Sequence, residues 1–175
     1  MSLMDTMLHR RSVRAYNKQP VTKEEIEKIL SAALLTPNGK GLRPWEFVVI
    51  QDEKMLRELK SCRKGGAKML ETATAAIAVY SDKDRTDTTV EDSSLALGYM
   101  TLMATDLGLG SCWLQLRLRP SDVEGMTASE FVNARLGAPS NMELEALLVL
   151  GHIDEQPEAH EMPDVADSKI HYEQW

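Results

Sequence analysis

Apolar residues recur at helical spacing in two stretches of the chain. Thr22 and Glu25 form a capping-box pattern, and the apolar residues that follow repeat with the period of one helix face. This pattern predicts a helix that ends at Pro37-Asn38-Gly39. From Val90 to Leu107 the apolar positions almost encircle a second predicted helix. A helix that is apolar nearly all round is typical of a central or interface helix.

Four apolar runs predict strands, because each is short, rich in β-formers and bounded by turn residues. They are Trp45–Ile50, Ala75–Tyr80, Ser111–Leu118 and Leu144–Gly151. Four shorter helical segments are predicted from capping and spacing: Leu3–Arg11, a helix capped by Asp52, a turn over Ala67–Thr72, and a helix from Thr127 to Gly137. The order of these elements predicts an α+β fold, with a mixed sheet and helices packed about it.

The segment from His152 to Trp175 differs from the rest of the chain. It is acidic and contains two prolines, yet it closes on Ile170, Tyr172 and Trp175. A disordered tail is poor in aromatic and β-branched residues. We therefore expect this end to dock on a surface, either of its own subunit or of a partner.

Composition excludes several classes of function. The chain has 175 residues, which suits one domain, and its net charge of −7 argues against a nucleic-acid-binding protein. Cys62 and Cys112 lie far apart and outside any metal-binding pattern, so we expect reduced thiols and no metal site. No apolar run is long enough to span a membrane, and the start lacks a signal-peptide core. These features predict a cytoplasmic protein.

A basic cluster stands out against the acidic background. Arg10, Arg11 and Arg14 lie within five residues together with Ser12. Guanidinium groups match the geometry of a phosphate, and a hydroxyl adds one more hydrogen bond. The cluster therefore indicates a site for a specific anion, and the alternative is a solvated charged turn between helices.

Several motifs together resemble the FMN-dependent nitroreductase family. They occur in one order along the chain: Arg10-Arg11-Ser12-Val13-Arg14, Pro37 with Arg43-Pro44-Trp45-Glu46-Phe47, Glu91-Asp92, Leu107-Gly108-Leu109-Gly110-Ser111-Cys112-Trp113, and the end from Gly151. The resemblance covers essentially the whole chain. It implies a single FMN-binding domain over residues 1–175, with a mixed, mostly antiparallel sheet flanked by helices. It also implies a homodimer with FMN at the subunit interface and a tail, residues 152–175, exchanged across the dimer.

The resemblance also implies roles for particular residues. Arg10, Ser12 and Arg14 would contact the flavin phosphate, ribityl chain and pyrimidine edge, with Arg11 assisting through its backbone or side chain. The covering loop of the other subunit would include Pro37, Asn38, Gly39, Gly41 and Arg43. Lys68 would reach the pyrimidine, or is simply an exposed helix lysine. The backbone of Leu114, Gln115 and Leu116 would lie beside the reactive edge of the isoalloxazine.

Two departures from the family pattern qualify these expectations. Gly41 and Arg43 stand where many relatives have Asn and Gln. Ala159-His160-Glu161 stands where family members often carry the Lys and Arg that complete the phosphate site. Loss of those cations would leave the phosphate to the arginine cluster, so we expect either looser binding of FMN or a different path for the tail.

The function implied by the resemblance is that of an oxidoreductase. Hydride would pass from NAD(P)H through FMN to a nitroaromatic, quinone or similar acceptor in a ping-pong cycle. The flavin supplies the chemistry, so no catalytic side chain is expected. A flavin-binding or storage protein without significant turnover is the first alternative, and an interaction domain without a ligand is the second.

Overall fold

The computed structural model describes residues 2–163 and 169–175. Its centre is a four-stranded sheet in the order β1-β2-β4-β3. The strands are β1 (Trp45–Ile50), β2 (Ala75–Asp82), β3 (Gly110–Gln115) and β4 (Met142–Gly151), and all neighbouring strands are antiparallel. The predicted α+β class is confirmed. The sheet itself is antiparallel rather than mixed, and parallel pairing among the described residues is limited to one isolated bridge, between Ser12 and Ser111 of β3.

Helices cover both faces of the sheet. They are α1 (Leu3–His9), α2 (Lys23–Leu34), α3 (Glu53–Glu58), α4 (Thr89–Asp106) and α5 (Ala128–Leu136), with short 3₁₀ turns at Gly39–Gly41, Leu59–Cys62 and Lys68–Glu71. On one face α2 and α4 pack on the sheet, and on the other face α3, α5 and the last two 3₁₀ turns pack on it.

Strand β2 is buried on both sides. Ile77 and Val79 enter the core below α2 and α4, whereas Ala76, Ala78 and Tyr80 enter the opposite core. Because both faces of the sheet are covered, this strand is a continuous apolar run rather than an alternation of apolar and polar residues. This arrangement explains why the run was readily predicted from the sequence.

Two predicted elements extend too far. Helix α1 ends at His9 rather than Arg11, because Arg10 adopts an extended conformation and the following segment pairs with β3. Strand β3 ends at Gln115 rather than Leu118. The amides of the next two residues both donate to the carbonyl of Glu145, and Leu118 has a left-handed backbone with φ of 59°.

The remaining predictions agree with the structure to within a few residues. Capping boxes are present at α2 and α5, as predicted, and α4 spans nearly the predicted range. Both cysteines are free and buried. Within the described residues, no helix is long and apolar enough to cross a membrane, and no group of acidic, histidine and cysteine side chains is arranged to hold a metal ion.

Candidate functional site

The arginine cluster lies on an extended segment beside β3. After α1 the chain straightens, Ser12 forms a parallel bridge with Ser111 of β3, and the Val13 amide donates to the Ser111 carbonyl at 2.8 Å. Tyr16 fixes the end of this segment, because its buried hydroxyl donates to the carbonyl of Val13 at 2.7 Å and lies 3.3 Å from the carbonyl of Val149. Pairing with the sheet therefore gives the cluster a rigid support.

The three guanidiniums of the cluster have no carboxylate partner in the described part of the chain. Arg11 and Arg14 donate only to backbone carbonyls, of Glu158 and Ser12 respectively. Ser111, the bridge partner of Ser12, has a buried hydroxyl without a hydrogen-bond partner among the described residues. Concentrated positive charge without a counter-ion favours binding of an anion.

The first part of the tail runs along this cluster within the same chain. The Asn17 amide donates to the His152 carbonyl at 2.8 Å, and the Gln156 side chain donates to the Gly108 carbonyl at 3.0 Å. Further on, His160 lies beside Arg10. Residues 152–160 thus dock on their own subunit, whereas Ile170, Tyr172 and Trp175 are exposed. Residues 164–168 of the predicted exchanged tail lie outside the described residues.

The end of β3 is held by a buried carboxylate that sequence reasoning missed. Glu145 accepts hydrogen bonds from Gln115 Nε2 and from Arg117 Nε, each at 2.8 Å. Gln115 Oε1 in turn accepts from the indole of Trp113 at 2.7 Å. The chain of contacts fixes both ends of the Gln115 carboxamide. One signal was available, since Glu145 is an acid inside the apolar run predicted as a strand.

The predicted covering loop is anchored at the start of α4. The buried carboxylate of Asp92 accepts the Gly39 amide at 2.8 Å and the Thr88 hydroxyl at 2.9 Å. Asn38 closes the loop by accepting the Arg43 amide at 2.8 Å. Three residues of the loop have left-handed backbones: Lys40, Gly41 and Arg43. In the sequence, Asp92 is part of the Glu91-Asp92 motif, which does not by itself indicate that it anchors the loop.

The other predicted site residues fall into separate positions. Lys68 is exposed on a 3₁₀ turn, Pro37 is exposed before the loop, and Leu114 and Leu116 are buried. Among the described residues, no hydrogen bond or ion pair joins the loop to the arginine cluster. Two surface pockets of about 530 and 560 Å³ are lined by none of the predicted site residues. One subunit therefore presents the pieces of the predicted site apart from one another.

The thiols are not activated nucleophiles. Burial raises the pKa of Cys62 to about 12 and also raises the pKa of Cys112. A raised pKa keeps a thiol protonated at neutral pH, and the protonated form is a poor nucleophile. Neither thiol is therefore a candidate nucleophile.

Comparison with known proteins assigns a family. The model of the nitroreductase family matches residues 7–65 and 56–152. A solved FMN-dependent nitroreductase from Clostridium difficile is 39% identical, with a TM-score of 0.92 over 98% of this chain and 99% of that one. A solved Bacteroides thetaiotaomicron protein, provisionally named an NADH dehydrogenase/NAD(P)H nitroreductase, is 31% identical with a TM-score of 0.89, and the match covers 100% of this chain and 99% of that one. An Archaeoglobus fulgidus protein with the same provisional name is 34% identical over 95% of this chain and 94% of its own length.

Proposed function

The chain belongs to the nitroreductase family, and from this premise we propose that it is an FMN-dependent oxidoreductase that works as a homodimer. Its substrates are NAD(P)H and a nitroaromatic, quinone or similar acceptor, used alternately in a ping-pong cycle. The observation that carries the proposal is the arginine cluster, held on an extended segment against β3 with no carboxylate partner among the described residues.

The residues of this chain fit FMN. A phosphomonoester needs several donors and positive charge, and the cluster supplies three guanidiniums and the exposed hydroxyl of Ser12. Ser111, the bridge partner of Ser12, also has a buried hydroxyl without a partner among the described residues. A group that carries hydride chemistry also explains why the described residues show no activated thiol and no metal-binding group.

The residues of this chain would bind and orient the flavin. Arg10, Arg11 and Ser12 would hold the phosphate, and the charge of Arg14 would favour electron density near N1 of the flavin. Lys68, exposed on its 3₁₀ turn, would add a second positive charge. The bound flavin supplies hydride chemistry between nicotinamide and acceptor. A backbone amide near Gln115, whose side chain is fixed by Glu145, would orient the reactive edge of the flavin.

A second subunit completes the site. Helix α4 packs against both α1 and α2, and large apolar side chains on these three helices are exposed: Leu3, Met4, Met7, Leu34, Leu35, Leu95 and Tyr99. Exposed apolar residues in such number are typical of an interface. The partner would bring its loop Asn38–Arg43 over the flavin, which accounts for the separation of loop and cluster within one chain.

The end of the tail belongs to the same interface. Trp175 and Tyr172 are almost wholly exposed, and Trp175 stacks only on His171 within the described part of the chain, with ring centroids 4.6 Å apart. Burial of large aromatic side chains against another surface stabilises the complex that they form. We propose that this end docks on the partner subunit.

Two measurements test the function. Apo-protein is first titrated with FMN and followed by visible absorbance, and one FMN per subunit is expected. The loaded protein is then mixed with NADH or NADPH and a series of quinones and nitroaromatics. Acceptor-dependent oxidation of nicotinamide supports the proposal. Tight binding of FMN without reduction by either nicotinamide would instead identify a flavin-binding protein, and failure to bind FMN would leave an interaction domain.

Arg14 gives a sharper test of the binding site. The variant Arg14→Gln should weaken binding of FMN about tenfold, because a charge-assisted contact is lost. Arg57→Gln is the matched control, since Arg57 is an exposed arginine of α3 paired with Glu53. Equal FMN affinity in the two variants would remove Arg14 from the site.

A further inference from the structure

We propose that His160 is a ligand of the FMN phosphate and that protonation of its imidazole controls how tightly the cofactor is held. The proposal rests on the function proposed above and concerns regulation of the same site. It also answers the question raised by the sequence, in which Ala159-His160-Glu161 replaces the lysine and arginine expected there.

Main-chain hydrogen bonds hold both His160 and Arg10 in place. The His160 amide donates to the carbonyl of Leu8 at 2.8 Å, and the Arg10 amide donates to the carbonyl of Thr6 at 3.0 Å. Gln156 ties the preceding part of the tail to Gly108. The imidazole Nε2 consequently lies 3.4 Å from Arg10 Nη2. These main-chain hydrogen bonds hold the tail segment that carries His160 against the end of α1, where Arg10 begins the arginine cluster.

The guanidinium of Arg10 and the imidazole of His160 together favour binding of an anion. A neutral imidazole can accept from the guanidinium through Nε2, but 3.4 Å is long for such a bond. Protonated imidazole has no lone pair to offer, so the two groups then present adjacent donors and two positive charges. A phosphate accepts from both at once. Its binding therefore favours the imidazolium form.

Arg10 is the charged group in contact with the imidazole, and other titratable groups lie near His160 on the two segments that meet here. On α1 and its extension lie Arg10, Arg11 and His9, and His9 contacts the carbonyl of Asp5 through Nδ1. On the tail itself lie Glu158 and Glu161. Without phosphate, the nearby guanidiniums oppose protonation and the two tail carboxylates favour it. A bound phosphate would add a negative charge beside the imidazole, and a nearby negative charge favours the protonated form.

The sign of the effect follows by linkage. Since bound phosphate favours the protonated imidazole, FMN affinity is highest at low pH and falls as pH rises through the range of imidazole titration, between about pH 5 and 8. The phosphate itself changes from one to two negative charges near pH 6, which has the opposite effect. Variants that lack the imidazole separate the two contributions, because they keep the phosphate ionisation.

The experiment measures FMN dissociation constants of apo-protein by quenching of flavin fluorescence, at about pH 6 and pH 8.5, which bracket imidazole titration. The native protein, His160→Gln and His160→Lys are compared. We expect the affinity ratio of native protein to His160→Gln to be about tenfold larger at the lower pH. His160→Lys should bind FMN tightly at both values. Riboflavin, which lacks the phosphate, should show no difference between native protein and His160→Gln at either pH.

His171→Gln is the matched control, because His171 is also on the tail but stacks on Trp175. It should keep the native pH profile. Thermal unfolding of each apo-variant checks that the fold is intact. A native-to-His160→Gln ratio that is the same at both pH values would overturn the role of His160. Absence of FMN binding in every variant would instead overturn the proposed function itself.

Discussion

Glu25 links the start of helix α2 to the end of strand β4. Its carboxylate accepts from the Thr22 amide at 2.7 Å and the Thr22 hydroxyl at 2.9 Å, and it lies 3.4 Å from Nε2 of His152. Burial raises the pKa of Glu25, but the hydrogen bonds from Thr22 and the interaction with His152 outweigh it, so the net pKa is lowered. A lowered pKa means that the ionised form stabilises the folded protein.

Replacement of Glu25 therefore has a pH-dependent cost. We expect Glu25→Gln to reduce the free energy of unfolding by about 0.5 kcal/mol at neutral pH, because Gln keeps the capping hydrogen bond but loses the negative charge near the helix N-terminus and beside His152. The stabilisation is present above the unfolded pKa of about 4.3 and is lost as pH falls through the lower folded pKa, so the two proteins should converge in acid. Urea unfolding of the native protein and of Glu25→Gln measures the difference in unfolding free energy. The measurements run from about pH 3 to about pH 7, which brackets the unfolded pKa of about 4.3.

The control is Glu130→Gln, because Glu130 forms the equivalent capping box with Thr127 but has no histidine partner among the described residues. Its effect should be smaller than that of Glu25→Gln. If both variants lose equal stability at neutral pH, the contact with His152 contributes nothing.

The sequence predicts those contacts whose two partners lie close together along the chain. The capping boxes of Thr22–Glu25 and Thr127–Glu130 were predicted because their partners are three residues apart. His152 could not be assigned to Glu25, since that contact depends on the tertiary packing of the end of β4. The same holds for Asp92 and Gly39, and for Glu145 and Gln115. The predicted residues of the candidate site were near these anchors, but the anchors themselves were not predicted.

A bulge in β4 aims Glu145 at the end of β3. Val79 of β2 pairs with Ala146 and Tyr80 pairs with Leu144, so Glu145 has no partner on β2. Its carbonyl accepts from the amides of Leu116 and Arg117, while its side chain binds Gln115 and Arg117. Bulges often redirect side chains in this way. This is also why β3 ends earlier than its sequence predicts.

The bulge carboxylate should be important for stability. Glu145→Ala leaves the guanidinium of Arg117 and the carboxamide of Gln115 without their acceptor, and we expect the free energy of unfolding to fall by about 2 kcal/mol. Glu46→Ala, at an exposed position of β1, should change it by less than about 0.5 kcal/mol. Arg117→Ala should cost less in the Glu145→Ala background than in the native protein. Equal costs in both backgrounds would show that the pair is not coupled.

The loop before β1 depends on a different buried carboxylate. Asp92→Ala removes the acceptor of the Gly39 amide, so the strained residues Lys40, Gly41 and Arg43 should lose their fixed conformation. We expect faster tryptic cleavage after Lys40 and, if the loop covers flavin, an FMN dissociation constant raised several-fold. Glu91→Ala is the control, because Glu91 is the exposed neighbour on the same helix. Identical cleavage rates in the two variants would contradict the anchoring role.

At the scale of the whole molecule, the sequence and the structure both make α4 a central helix of the fold. The apolar encirclement predicted a central or interface helix, and the structure shows the reason. Ala96, Leu97, Met100 and Ala104 are buried against the sheet, while Leu95 and Tyr99 lie on an exposed face. The sheet and helices α1 and α2 cover much of the apolar surface of α4 within the chain. Leu95 and Tyr99 remain exposed, and this is the face that we propose a second subunit covers.

That exposed face is where dimerisation can be tested directly. We expect the native protein to sediment at about twice the subunit mass of 19.6 kDa, and Tyr99→Glu to sediment as a monomer, because a charge buried in an apolar interface has no partner. Val49→Glu, at an exposed apolar position of β1, should remain dimeric. If the partner's loop covers the flavin, the monomer should also bind FMN more weakly while keeping the far-ultraviolet circular dichroism of the native protein. A dimeric, fully loaded Tyr99→Glu would place the interface elsewhere, whereas a monomer with native FMN affinity would show that one subunit alone forms the site.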